Sequence, residues 1–406
     1  MTKTARQSFL IKFLILNIFA LLLTTGVFSC RNEKSGSTNI TFWAMGAEGE
    51  TVQKLLPEFY QTHPGIRVEV QMIPWTAAQE KLITAYASNN SPDLFQLGNT
   101  WIPQFAALHA IENLDHRVNT SAVINRDNYF PGIWETNRID SNLYGIPWYV
   151  DTRVLFYRTD VLREAGFDHP PRTWRELYQA AKKIKASAGP DQYAIYMPTN
   201  EWAPYIIFGM QQGSRLLRDH NQYGNFSSPD FRKAFEYLIR FHKEGLAPMG
   251  VSQVTNVYQA FADKYFVMYI SGPWNVKEFR RWMTGDLADK WSTAPLPAPN
   301  DSTPALSLAG GASLVISRNS ENKEAAWQLI EYLSRTDVQL KFYHLLSDLP
   351  AVKSAWQDSS LKNNRYMQAF YRQFQNVIAT PKIPEWDQIA FSKVQQYAEL
   401  AARGAL

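Results

Sequence analysis

Three tryptophans fall close to the carboxyl ends of expected β-strands. A first strand, read at 40–43, closes on Trp43 and continues into Ala44-Met45-Gly46-Ala47-Glu48. A third, at 93–97, is followed by Gly98-Asn99-Thr100-Trp101, and another, at 266–270, by Ser271-Gly272-Pro273-Trp274-Asn275. In open α/β sheets ligands sit in the crevice beyond the carboxyl ends of the strands. The neighbouring glycines let a ligand approach the backbone closely. An indole face beside amides and carboxylates suits a sugar ring: the C–H face stacks, and the hydroxyl rim bonds to polar side chains. Each Trp taken singly is most simply a core residue. Three at equivalent strand ends make a ligand-facing edge the better reading. Trp75, Trp148, Trp202 and Trp386 are weaker candidates, and the remaining tryptophans read as structural or surface residues.

Reactive motifs are missing. There is no phosphate loop, no dinucleotide fingerprint, no His-Glu-x-x-His and no nucleophile elbow. The seven His are scattered without metal-ligand spacing, and the single Cys is Cys30. Neither a metal nor a cofactor is therefore expected. Paired carboxylates for glycan cleavage need no proximity in sequence, so a secreted glycan-active enzyme stays open as an alternative. The weight lies with a binding protein that is not an enzyme.

At 406 residues with 45% hydrophobic content, the chain is long enough for about two or three domains with real cores. The formal charge of +4 includes Lys3, Arg6 and Lys12 of an expected leader, which leaves +1 without them. That balance does not argue for nucleic acid.

The elements that must position these residues read as strand, helix, strand, helix, strand over roughly residues 40–97, an α/β pattern with a parallel sheet. Helical spacing runs over 52–60 and 77–87, and Val68, Val70 and Met72 alternate as a strand. A second α/β pattern begins near Leu155. It holds a Thr173-x-x-Glu176 capping box, a Ser228-Pro229 helix start and a continuous apolar strand at 266–270. Pro295, Pro297, Pro299 and Pro304 mark an extended connection.

The N-terminus reads as an address. A basic start and an apolar run at 13–23, too short to span a bilayer, lead to Val27-Phe28-Ser29-Cys30. This resembles the bacterial lipobox, which implies a signal peptide over 1–29, lipid on Cys30 and a membrane anchor. Residues 30–39 read as a flexible tether. The expected location is extracytoplasmic, lipid-anchored in a periplasm or at a cell surface.

Ser91-Pro92-Asp93-Leu94-Phe95 through Trp101, Tyr144-Gly145-Ile146-Pro147 through Asp151, Ser271-Gly272-Pro273-Trp274, Pro295-Leu296-Pro297, Gly310-Gly311, Ala325-Ala326-Trp327 and Leu349-Pro350-Ala351 occur in one order. Together they resemble family 1 extracellular solute-binding proteins, the maltose-binding-protein-like sugar receptors of ABC importers. The resemblance implies an α/β periplasmic-binding-protein-like fold of two lobes, each a mainly parallel sheet flanked by helices, with the ligand between them. It places residues 40–147 with 300–348 in one lobe and 148–299 with 349–406 in the other. It implies sugar capture by lobe closure, delivery to an ABC permease, and a monomer. Carried onto matching positions, Trp274 resembles a stacking Trp and Tyr149 and Asp151 a hinge-side pair. Glu48 falls in a loop that often holds an acid, and Gly310 and Gly311 resemble a cleft-lining pair. Asn99 stands where many members have Asp, Trp101 is a second stacking candidate, and Trp386 with Asp387 lies in a segment that often closes the cleft. Asp151 with Arg153 also reads as a hinge ion pair. A receptor of the same fold for glycerol phosphate or another polar solute, and an attachment lipoprotein, are the remaining alternatives. Members of that family usually continue with another helical stretch after the segment near Glu399.

Overall fold

The computed structural model describes residues 37–249 and 254–405. The chain separates into a leading unit, Met1–Thr38, and a main unit, Asn39–Leu406. The expected leader and the Cys30 lipobox lie outside the described residues.

Ten strands build two sheets: β1 (Thr38–Met45), β2 (Ile66–Ile73), β3 (Leu94–Gly98), β4 (Ile146–Asp151), β5 (Val154–Arg158), β6 (Tyr193–Tyr196), β7 (Phe266–Ser271), β8 (Trp291–Ala294), β9 (Gly310–Ile316) and β10 (Leu349–Pro350). The larger sheet is six-stranded in the order β10-β4-β9-β3-β1-β2, and the smaller is four-stranded in the order β8-β5-β7-β6. β1 pairs with β3 in parallel, and β7 with β6 likewise. β9 runs antiparallel to both β3 and β4, β10 antiparallel to β4, and β5 antiparallel to β7 and β8. Both sheets are therefore mixed rather than mainly parallel. The strand–helix–strand unit gives the parallel pair, and strands that return from elsewhere in the chain enter the other way.

The local sequence accounts for these elements. β3 is buried on both faces, its apolar run broken only by the wholly buried, hydrogen-bonded Gln96. β1 alternates, with Ile40, Phe42 and Ala44 on the main core and Trp43 on the other face. It runs on to Met45, past the expected end at Trp43. The helical spacing at 52–60 resolves into two helices, Gly46–Val52 (α1) and Leu56–Thr62, with Pro57 in the first turn of the second. A third helix that shapes the site, α2, is Trp75–Ala87. Thr173 Oγ1 caps the N–H of Glu176 at 3.2 Å, and Glu176 Oε2 accepts from the N–H of Arg172 at 2.7 Å, one residue earlier than in a reciprocal capping box.

The larger sheet is covered on both faces. Phe42, Phe59, Trp148 and Phe342 pack on one side, and Met45, Leu82, Phe95 and Phe105 on the other. Trp174, Ile206, Phe208 and Trp386 belong to the core beside the smaller sheet. β4 stays in the larger sheet through Asp151, and β5 starts the smaller sheet at Val154. The passage from one sheet to the other thus falls at Thr152-Arg153.

Candidate ligand-binding cleft

A cleft of about 1070 Å³ opens where β3, β4 and β9 meet α2. Its walls come from the turn after β3 (Gly98 to Trp101), the end of β4 (Tyr149, Asp151), the start of β9 (Gly310, Gly311) and the α2 face carrying Trp75, Gln79 and Glu80. Trp202, Thr380, Glu385 and Asp387 close it from later segments of the chain.

The aromatic wall is held from behind. Trp75 and Trp101 pack edge to face, ring centroids 5.6 Å apart. Gly98 lies against this pair: a Cβ there would stand 3.5 Å from the Trp101 ring and 3.7 Å from Trp75, in ordinary van der Waals contact. Glu48, buried on α1, accepts the Trp75 indole N–H at 3.3 Å and the Tyr149 hydroxyl at 2.7 Å through one oxygen, Oε1. Gln96, wholly buried on β3, donates to the Tyr149 hydroxyl oxygen at 3.2 Å and accepts the Met45 N–H at 2.8 Å. Burial, with the negative charges of Glu48 and Asp348, keeps the Tyr149 phenol well above its ordinary pKa. It is a neutral donor under all ordinary conditions.

The polar wall centres on Asp151. Its Oδ1 lies 3.0 Å from Arg153 Nη1, and Arg153 Nη2 lies 3.9 Å from Glu201 Oε1. The Arg153 guanidinium also lies over the Trp274 indole, 4.7 Å from the ring centroid. Burial raises the Asp151 pKa, and the Arg153 charge opposes that rise. Gly310 and Gly311 are required here. A Cβ at 310 would stand 2.2 Å from Asp151 Oδ1, and one at 311 would stand 2.3 Å from the Tyr149 carbonyl oxygen. Gly311 also adopts φ +121°, which disfavours any side chain. Asn99 fixes the opposite corner, donating to the Ala309 carbonyl at 2.8 Å.

Two further carboxyls belong to this region. Asp387 lies against Thr100 and Trp101, and burial raises its pKa while bonds from those two residues oppose the rise. Asp348 stands just before β10 with its Oδ2 sealed from water and without a hydrogen-bond partner. Burial, then the charges of Glu48 and Asp151, push it up to about 8.

The structure thus gathers Asn99, Trp101, Tyr149, Asp151, Gly310 and Gly311 at the cleft. Glu48 lies behind its wall, on a helix rather than in a loop. Trp274 is not among the cleft's lining residues; it lies under Arg153, which is, and is 45% exposed. Trp43 and Trp386 stand apart from the cleft. Trp43 is not among the cleft's lining residues and faces Lys81, whose Nζ lies 4.7 Å from its ring centroid in a separate depression. The cause is the longer β1, which moves the strand end beyond it. Trp386 is wholly buried, edge-on to Trp202 at 6.2 Å, so its neighbour Asp387 and the ring of Trp202 reach the cleft instead. Trp75, a weaker candidate from sequence, lines the cleft. It follows the end of β2 by two residues, so the rule that selected the other three tryptophans selects it too.

The sequence from residue 44 to residue 340 matches the family model described as bacterial extracellular solute-binding protein. The chain belongs to that family. This solute-binding protein superimposes on the sugar-binding protein MalE from Xanthomonas citri with a TM-score of 0.87. The two are 46% identical, over 91% of this chain and 93% of that one. An ABC transporter solute-binding protein from Thermotoga lettingae, solved with α-D-tagatose, gives a TM-score of 0.75 at 29% identity, over 91% of this chain and 95% of that one. The diacetylchitobiose-binding protein DasA of Streptomyces coelicolor is 26% identical over 86% of this chain and 80% of its own. The solute-binding protein therefore has the two-lobed α/β fold of MalE, and its relatives are binding proteins rather than enzymes. Among the described residues no helix is long and apolar enough to cross a membrane.

Proposed function

We propose that this protein captures a neutral sugar, a mono- or oligosaccharide, by closing two lobes around it, and delivers it to an ABC permease. The observation that carries the reading is the cleft itself. A Trp75–Trp101 pair faces hydroxyl-bonding groups on Asn99, Asp151 and Asp387, in a chain 46% identical to a sugar-binding protein. The aromatic pair offers stacking faces, and the buried carboxyls and amide take up the hydroxyl rim. Trp274 adds a third ring once Arg153 moves aside. Tyr149 contributes its ring edge, with its hydroxyl already committed to Glu48. Gly310 and Gly311 let the sugar lie against bare backbone.

The lobes are taken as the larger sheet with its helices and the smaller sheet with its helices, hinged at Thr152-Arg153 and at the returning chain before β9. Hinge closure around a ligand excludes water and strengthens each polar contact. Lipid at Cys30 and a monomeric, extracytoplasmic protein complete the reading; the Val27-Phe28-Ser29-Cys30 sequence supports the anchor. An anionic solute such as glycerol phosphate is disfavoured, because Glu80, Asp151, Glu385 and Asp387 line the cleft against one cation, Arg153. Calorimetric titration with neutral sugars and with glycerol phosphate tests the reading. Saturable binding to one neutral sugar class supports it, and binding to glycerol phosphate alone refutes it.

A further inference from the structure

Arg153 sits at the passage between the sheets, beside the returning chain that leads to β9. Its carbonyl accepts from Ser307 Oγ at 2.9 Å, and the preceding Thr152 Oγ1 donates to the Leu308 carbonyl at 2.7 Å. The Arg153 guanidinium lies 4.7 Å over the Trp274 ring, bonds Asp151 Oδ1 at 3.0 Å, and stands 3.9 Å from Glu201 Oε1. A guanidinium is planar and weakly hydrated, with donors around its edge, and it stacks on aromatic faces. A pyranose makes the same two demands, a face for the indole and a rim of donors for carboxylates.

We propose that Arg153 is a built-in placeholder, holding the position of one sugar ring between Trp274 and Asp151 until the ligand displaces it. This rests on the sugar-binding reading above. The device has a physical reason. An unpaired carboxylate in so buried a place is costly, and Arg153 supplies its countercharge while the cleft is empty. On displacement from Asp151 and Trp274 the guanidinium still has Glu201, whose Oε1 lies 3.9 Å from its Nη2, as a countercharge. The placeholder also sets specificity. A ligand that stacks without bonding Asp151, or bonds without stacking, replaces only part of what Arg153 gives up. Rings that do both are selected.

The test compares wild type, Arg153→Met, Arg153→Lys and Trp274→Ala by calorimetry with the sugar that wild type binds. Arg153→Met should bind that sugar about five- to tenfold more tightly, the scale of one charged contact no longer displaced. Arg153→Lys, which keeps the charge without the flat stacking group, should fall between. Acrylamide quenching of tryptophan emission without sugar gives an independent readout: Arg153→Met should be quenched more than wild type, and the difference should vanish in the Trp274→Ala background. Weaker or unchanged sugar binding by Arg153→Met, with quenching as in wild type, overturns the proposal. If Arg153→Met does not fold, Arg153→Lys decides by the same two readouts. Absence of sugar binding by wild type refutes the receptor reading instead, and the quenching comparison still judges the Arg153–Trp274 contact.

Discussion

Glu48 Oε1 receives the Tyr149 hydroxyl at 2.7 Å, and that one oxygen also receives the Trp75 indole N–H. A single carboxylate oxygen thus ties a ring on the strand that leads to the passage between the sheets to a ring on the helix that walls the cleft. Glu48→Ala should leave both donors without this acceptor and cost about 1–3 kcal/mol of stability. Sugar affinity should fall by about tenfold or more as Trp75 loses its anchor. Glu48→Gln, whose amide oxygen can still accept, should retain most of both. Urea unfolding and calorimetry on the two variants check this.

Asp348 makes stability depend on pH. Its pKa in the folded protein is raised to about 8, by burial first and then by Glu48 and Asp151, against about 3.9 in an unfolded chain. The folded state therefore holds the proton more tightly, and the associated stability is complete below pH ~4 and lost as pH rises through about 8. Asp348→Asn mimics the protonated carboxyl. It should match wild type near pH 4 and exceed it by several kcal/mol near pH 8. Urea midpoints at the two pH values report the difference. A variant no more stable than wild type at the higher pH would contradict the assignment.

The paired glycines separate backbone strain from site chemistry. Gly311→Ala places a side chain at φ +121°, with its Cβ 2.3 Å from the Tyr149 carbonyl, so a stability loss of about 2 kcal/mol or more is expected. In Gly310→Ala the closest clash is with the Asp151 carboxyl, a side chain lining the cleft, rather than with backbone. Stability should fall less while sugar affinity falls by about tenfold. Thermal unfolding beside calorimetry distinguishes the two effects.

The tryptophans supply an internal control. Trp101→Ala should weaken sugar binding by about 2–4 kcal/mol, as for a buried aromatic anchor. Trp43→Ala, outside the cleft, should leave affinity within about twofold of wild type. Equal losses in both would mean that the ligand lies elsewhere.

Much of this arrangement was legible in the sequence, and the exceptions have physical causes. Strand ends followed by Gly and Trp located the turn at Asn99–Trp101, because β3 is a short, mostly apolar run bounded by Pro92 and Gly98. The same rule misplaced Trp43, because Ala44 and Met45 continue β1 and nothing in their types marks the end. Trp386 and Asp387 are adjacent, and only packing decides which one the turn points inward. The partners of Glu48 lie 27 and 101 residues away, so no local pattern announces them. The mixed pairing of the sheets has the same origin: it is set by returning strands such as β9 and β10, whose direction depends on the path of the chain between sheets.

The central claim is that the cleft takes a neutral sugar. The most direct measurement is tryptophan fluorescence of the folded protein, titrated with mono-, di- and trisaccharides beside glycerol phosphate, and repeated with Trp101→Ala. The account predicts a saturable change with one neutral sugar class at micromolar or lower Kd, no response to glycerol phosphate, and a shift of the midpoint to much higher concentration in the variant. A folded protein that responds to no sugar, or only to the anion, would contradict it.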